Sequence, residues 1–287
     1  MKHDLVDQNL ADHDLAEAPL QEDIPSPGSA SPDLVPETSE IARRLDECAV
    51  LLDIDGTLLD LAPTPREVWV PPGLSKTLNR LLDKTSGALA LVSGRSLNDI
   101  DLIFAPDQFP AVGGHGAEMR LATDGDAVAT HAPPMDKELK RRLAAIAKLS
   151  PGILLEDKGY SLALHYRLAP HAEKAIYAAV SLIRADLPNA PIEVLPGKCV
   201  CEIKHSGFNK ATGVRELMTH EPFKGRRPIF IGDDVTDEAV FAIVPEFGGL
   251  AFSVGRHAKG VADYFDEPRE VREWLARLVD DEAAAKR

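Results

Sequence analysis

The chain has little cysteine, no long apolar run and no excess of base. Its 287 residues include three cysteines, Cys48, Cys199 and Cys201. A zinc site needs paired ligand sets at longer spacing, so these are assigned as reduced structural thiols. Cys199 and Cys201, one residue apart, are expected on the same buried side of a strand. No apolar stretch reaches the roughly 20 residues of a membrane helix. The opening MKHDLVDQNLADHDLAEAPL is acidic where a secretion signal is basic and then apolar. The expectation is a cytoplasmic protein with no membrane partner. Lysine and arginine number 32 against 46 acids, a formal charge of −14, so nucleic acid finds no basic surface here.

Much of that charge is local. Residues 1–42 hold ten acids against the single Lys2, leaving about −5 for the remainder. The same stretch carries Pro19, Pro25, Pro27, Pro32 and Pro36 and shows no sustained hydrophobic period. Such a segment cannot bury enough surface to offset the entropy of ordering, so residues 1–46 are expected to be a disordered acidic tail. Beyond it, with 44% apolar residues overall, a real core is possible.

From residue 47 the pattern alternates. CAVLLDID is a strand, PPGLSKTLNRLLDK a helix, GALALVSGR a strand, SLNDIDLIF a helix capped by Ser96, and PAVGGHGAEMR a short strand with a glycine turn. That order predicts an α/β fold, a doubly wound, Rossmann-like parallel sheet with its working residues at the carboxyl ends of the strands. The rhythm changes near residue 124. One helix and a hairpin, repeated once through PIEVLPGKCVCEIKHSG, predict a separate antiparallel sheet with two helices on one face. The parallel pattern then returns in NKATGVRELMTH, RRPIFIGDDVTDEAVF, GLAFSVG (the last core strand) and the closing helix PREVREWLARLVDDEAAAK. An α+β cap over 124–207 is therefore expected as an insertion between core segments 47–123 and 208–287, with crossings near 120–125 and 204–209.

Four pieces fall at strand ends: Asp53 with Asp55, Ser93-Gly94-Arg95, Lys210, and Asp233-Asp234 with Asp237. A solvated loop explains any one of them alone. Together they supply a nucleophile, a cation and oxygen-holding donors, as in-line phosphoryl transfer requires. A carboxylate attacking a phosphate dianion is repelled unless a hard cation bridges them, which points to Mg2+. Asp53 and Asp233 are the first carboxylates for it, with Asp55, Asp234 and Asp237 as further metal candidates. Lys210 and Ser93, beside Gly94, are expected to hold phosphate oxygens, with Lys210 fixing the charge on Asp53. Asp55 can protonate the leaving oxygen and then deprotonate the water.

In that order, DIDGT, SGR, the helix-opening lysine and GDDVTDE resemble the four motifs of haloacid-dehalogenase-type phosphatases. VSGRSLNDI, GGHGAE, EDKGYSLALHYR, CEIKHSGFNK and IGDDVTDEAVF narrow the resemblance to the trehalose-6-phosphate phosphatase family, across residues 49 to about 255. The resemblance implies Mg2+-dependent hydrolysis of trehalose 6-phosphate through an aspartyl phosphate, the last step of trehalose synthesis. It implies a cap that closes over the sugar, with positions matching Glu156, Lys158, Arg167, Lys198 and Glu202 binding trehalose and phosphate. It also places His115 and Glu118 toward the substrate. Strand alternation agrees, putting Glu156, Lys158, His165, Arg167, Lys198 and Glu202 on one face; Arg95 completes the expected substrate contacts. One departure is FNKAT, where the family commonly has glycine after the lysine.

Rival readings are a phosphatase for another sugar phosphate (sucrose phosphate or mannosyl phosphoglycerate), a phosphosugar mutase, and a receiver-like module phosphorylated on Asp53. Oligomeric state stays open, with a monomer as the expectation.

Overall fold

The run Ala49-Val50-Leu51-Leu52 is apolar on both faces, and it forms the middle of the molecule. The computed structural model describes residues 38–62, 67–123, 125, 132–197 and 199–280. In it β1 (Cys48–Leu52) is buried along its whole length, as a strand covered on both sides must be. β2 (Leu89–Val92) and β3 (Ala111–Gly113) follow on one side. β9 (Arg227–Gly232), β10 (Leu250–Val254) and β11 (Asp263–Phe265) lie on the other. With β4 (Glu118–Arg120) the order is β11-β10-β9-β1-β2-β3-β4, parallel except for the β3–β4 pair. Winding thus reverses at β1, the place where an open α/β sheet leaves a crevice.

One face of this sheet is covered by α1 (Thr38–Arg43), α2 (Leu74–Lys84), α3 (Leu97–Phe104) and α8 (Pro268–Asp280). Phe252, Phe265 and Trp274 pack there with ring centroids 5.7–6.0 Å apart. α6 (Lys210–Leu217) and α7 (Val235–Ile243) cover the other face around Phe223, Phe230 and Phe241.

Between β4 and α6 lies the inserted layer. β5 (Leu154–Asp157), β6 (Ser161–His165), β8 (Val200–His205) and β7 (Ile192–Gly197) form an antiparallel sheet in that order. α4 (Lys137–Ile146) and α5 (Glu173–Asp186) cover the face carrying Leu162, Leu164, Cys201 and Ile203. The opposite face carries Glu156, Ser161, Ala163, His165, Glu202 and Lys204, by the register Glu156↔Ala163↔Glu202 and Ser161↔Lys204.

Several sequence expectations need correction. Residues 38–46 do not belong to a disordered tail: Ile41, Ala42 and Leu45 are buried, and the Trp274 indole N–H donates to the Thr38 hydroxyl at 3.0 Å. Residues 1–37 lie outside the described residues. GLAFSVG is not the last core strand, because β11 adds one more parallel neighbour to β10. Cys199 lies in the β7–β8 turn at φ 60° rather than on the strand, yet it packs, half-buried, against the same cluster as Cys201, as expected. Arg167 lies in the turn after β6, exposed, rather than on the sheet face. Lys198 lies outside the described residues.

Candidate active site

β1 stops at Leu52, and the register carries its successor to the level of the ends of both neighbours. Leu52 pairs with Leu91 on β2 and Ile231 on β9, and the Asp53 N–H donates to Ile231 O at 2.9 Å. Asp53, Ser93 and Asp233 therefore emerge side by side. Asp237 arrives from the first turn of α7 and Lys210 from the start of α6.

These groups form one buried network. The Lys210 ammonium donates to Asp53 Oδ1 and to Asp237 Oδ1, each at 2.7 Å. Asp237 Oδ2 accepts the backbone N–H groups of Asp233 (3.1 Å) and Asp234 (3.0 Å), which fixes the loop between β9 and α7. The Thr57 hydroxyl donates to Asp53 Oδ2 at 3.2 Å and lies 3.4 Å from Asp233 Oδ1. Gly56, at φ +84°, is needed here: a Cβ would stand 2.1 Å from Asp233 Oδ2.

The charge balance shows what the cluster wants. Asp53, Asp233 and Asp237 bring oxygen atoms within 4.8 Å of one another, against one ammonium. Burial, with the neighbouring Asp233 and Asp55 charges, pushes Asp53 up to about 7 despite the opposing pull of Lys210. Burial and Asp53 push Asp237 up to about 7, and burial pushes Asp233 up to about 6. For Lys210 burial acts to lower the pKa, but the two carboxylates outweigh it and hold the group charged. Two buried carboxylates and the half-buried Asp233, facing one ammonium, are short of positive charge. An oxygen-seeking divalent cation such as Mg2+ fits that deficit and that donor set. Asp53 and Asp233 fit it best: Asp237 Oδ2 already accepts two backbone N–H groups and its Oδ1 Lys210, whereas Asp53 Oδ2 holds only the longer Thr57 bond. Asp55 and Asp234 are not in this group. Asp234 is exposed and caps α7, accepting the Val235 N–H at 2.7 Å. The Asp55 carboxylate is held by Arg95, Nε to Oδ2 and Nη2 to Oδ1, both at 2.6 Å.

Beside the acids, the SGR loop and the GGHG turn are tied together. Gly114 N–H donates to Arg95 O (2.7 Å) and His115 N–H to Ser93 O (3.0 Å). Buried Ser93 accepts the Arg95 N–H at 3.2 Å. The His115 ring lies against Gly94, where a Cβ would come within 2.3 Å of Nε2. His115 is held at φ 54°, in the left-handed region. Burial, followed by the Lys210, Lys158 and Lys204 charges, takes its pKa down to about 4 against the pull of Glu202, so the ring is neutral at pH 7. Glu118 starts β4 opposite Gly113, and its carboxylate accepts the Leu97 N–H at the positive end of α3 (2.6 Å).

On the cap, Glu202 Oε1 accepts the Ser161 hydroxyl at 2.9 Å and faces Lys158 Nζ at 3.4 Å. Farther along the same face His165 Nε2 meets Glu156 Oε2 at 2.9 Å. Sequence reading missed three residues here. Thr57 closes DIDGT, four residues from Asp53, and its position in that motif was the available signal. Buried Lys204 donates to Glu193 Oε2 at 2.8 Å and to Phe208 O, bracing the crossing that leads to Lys210. Tyr160 packs with Ala117, Ala132 and Phe208 and brings its hydroxyl against Gly114. Burial and the Glu118 charge raise its pKa. A groove of about 640 Å³ beside Met135, Leu139, Leu187 and Ile192 contains none of the strand-end acids.

The trehalose-phosphatase family profile matches residues 51–265. The chain belongs to that family. A probable trehalose-phosphate phosphatase of Sinorhizobium fredii is 45% identical over 219 residues, 76% of this chain and 81% of that one. The trehalose-6-phosphate phosphatase of Escherichia coli is 37% identical over 244 residues, with coverages of 85% and 90%. The solved C-terminal domain of C. albicans trehalose-6-phosphate phosphatase superposes with a TM-score of 0.70, covering 85% of this chain and 96% of that one at 20% identity. At that identity the likeness is one of fold, a parallel core carrying a cap. The trehalose-phosphatase match spans all four strand-end pieces and the whole cap.

Proposed function

We propose that the chain is a cytoplasmic, Mg2+-dependent phosphatase that converts trehalose 6-phosphate to trehalose and phosphate. The observation that carries this reading is the Lys210 ammonium shared between Asp53 and Asp237 at 2.7 Å, at the mouth of three adjacent strands, in a chain of the trehalose-phosphatase family. In the proposed reaction Asp53 attacks phosphorus as the sugar oxygen departs, and Asp55 gives that oxygen its proton. Water then attacks the phosphorus held on Asp53 and loses a proton to Asp55, and phosphate is released. Lys210 keeps Asp53 oriented, and Ser93, Gly94 and Lys210 take the remaining phosphate oxygens. Asp53 and Asp233, with Asp237 bracing them, would hold Mg2+, which would supply charge neutralisation.

The division into core segments 47–123 and 208–287 and a cap over 124–207 belongs to the same proposal. The cap reads the sugar through Lys158 and Glu202 nearest the core and Glu156 and His165 beyond, with His115 contributing from the core side. Arg167 and Lys198 complete the proposed set. Phosphate release from trehalose 6-phosphate, with and without Mg2+ and beside Asp53→Asn, tests this. Multiple turnovers that stop with chelator and with the variant support it. A faster rate on sucrose phosphate or mannosyl phosphoglycerate transfers the specificity to that sugar. A single phosphorylation without turnover makes the chain a receiver-like module.

A further inference from the structure

Arg95 was expected to touch the sugar, yet its fork closes on Asp55. Both Asp55 oxygens are held at 2.6 Å, by Nε and Nη2, in the bidentate geometry that fixes a carboxylate's plane as well as its place. The side chain of Arg95 is 13% exposed and that of Asp55 32%. The backbone of Arg95 is equally committed: its N–H donates to Ser93 Oγ (3.2 Å), and its carbonyl accepts the Gly114 N–H (2.7 Å). The guanidinium thus stands on the phosphate loop and the GGHG turn at once, and from there it grips the acid/base.

We propose that Arg95 is a positioning residue for proton transfer, aiming Asp55 at the leaving oxygen rather than reading the sugar. This rests on the reading above, in which Asp55 is the acid and base. Each Asp55 oxygen accepts one bond from the fork and keeps a lone pair free. With the plane fixed, one free position is turned toward the bond that breaks. With Asp55 carrying a proton on that position, phosphorus–oxygen cleavage and formation of the Asp53 acyl phosphate proceed while the proton passes to the departing oxygen. In the second half the same oxygen takes a proton from the attacking water, and the Asp53–phosphorus bond breaks. Without the fork the carboxylate turns about its χ angles and spends less time aligned. Misalignment of about 1 Å costs on the order of 10²-fold where chemistry depends on it.

The test separates proton transfer from sugar reading by leaving group. Arg95→Met and Arg95→Lys are measured on trehalose 6-phosphate, ethyl phosphate and p-nitrophenyl phosphate, beside Asp55→Asn. An alkoxide needs a proton in order to leave; p-nitrophenolate does not. Because kcat/KM stops at the first irreversible step, both Arg95 variants should lose on the order of 10–100-fold in kcat/KM on the two alkyl phosphates. On p-nitrophenyl phosphate kcat/KM should hold within about 3-fold, while kcat falls and a burst of nitrophenolate develops. Lysine should fail to rescue, because it keeps the charge but not the fork. A loss confined to trehalose 6-phosphate would return Arg95 to sugar reading and overturn the proposal. So would an equal loss on all three substrates, or full rescue by lysine. If Asp55→Asn itself shows no leaving-group dependence, the assignment of Asp55 falls and the proposal with it. If Asp55→Asn shows that dependence and the Arg95 variants do not, only the proposal falls.

Discussion

The strand-end cluster and the open face of the cap are both polar, but they are built differently. In the cluster, Lys210, Asp53 and Asp237 have side chains no more than 5% exposed, and their contacts are 2.7 Å long. On the cap, the Glu156–His165 pair is 44% and 37% exposed, and Lys158 reaches Glu202 only at 3.4 Å. Groups taken out of water are costly unless fully paired, so the cluster is rigid and unforgiving. At its Glu156–His165 end the cap face keeps much of its hydration. Lys158 and Glu202, 14% and 13% exposed, are nearly as buried as the cluster but meet at a longer distance, a weak pair that can be exchanged for sugar hydroxyls. Chemistry is fixed in the core; selection is left to a surface that gives up little by rearranging.

That contrast sets the size of the expected effects. Asp53→Asn should lower turnover by on the order of 10⁴-fold or more on every phosphate ester, measured by phosphate release. Asp237→Asn takes an anchor from both Lys210 and the 233–234 amides. Lys210 stays paired with Asp53, so the cost in urea unfolding should be that of a lost charged hydrogen bond, about 1.5–3 kcal/mol, along with most of the activity. An intact melt for this variant would show that the cluster is not tightly coupled.

Metal removal should sharpen the contrast further. Asp53, Asp237 and Asp233 are held near 7, 7 and 6 by burial, above their unfolded values. At these three sites the folded protein therefore binds more protons than the unfolded chain between about pH 4 and pH 7, outweighing the one proton fewer at His115. This stabilisation is complete below the unfolded pKa and is lost as pH rises through the folded one. Chelated protein should melt lower at pH 8 than at pH 5, by roughly 5–10 °C, and Mg2+ should restore most of the difference. A chelated protein that melts higher at pH 8 would contradict the charge deficit.

Smaller effects belong to the cap. Glu202→Ala should lower kcat/KM for trehalose 6-phosphate by about 10–100-fold, in line with about 1.5–3 kcal/mol for a charged hydrogen bond, and spare p-nitrophenyl phosphate. Equal loss on both would remove Glu202 from sugar reading. His165→Ala should change stability by less than about 1 kcal/mol, as half-exposed pairs do.

The core was legible because its signals are local. A strand buried on both faces reads as an apolar run, and the residue after it lands at the sheet's edge, so Asp53, Ser93 and Asp233 could be placed from the pattern alone. Lys210 could be assigned to Asp53 because a phosphoryl site needs a cation there. What escaped depends on where a side chain turns in three dimensions. β11 is three residues long and gains strand character only by pairing with β10. Nor does any local signal show that Glu118 accepts from the first turn of α3 or that Arg95 pairs with Asp55. Arg167 continues the alternation of β6 on paper, but the strand ends at His165 and the turn carries it away. Alternation says which face a residue takes only while the strand lasts.

The central claim is that Asp53 accepts the phosphoryl group. Acid quenching during turnover of trehalose 6-phosphate, followed by peptide mass spectrometry, tests it most directly. The account predicts one added phosphoryl group on the peptide containing Asp53, absent in Asp53→Asn. A phosphoryl group on another residue, or full turnover by Asp53→Asn, would contradict it.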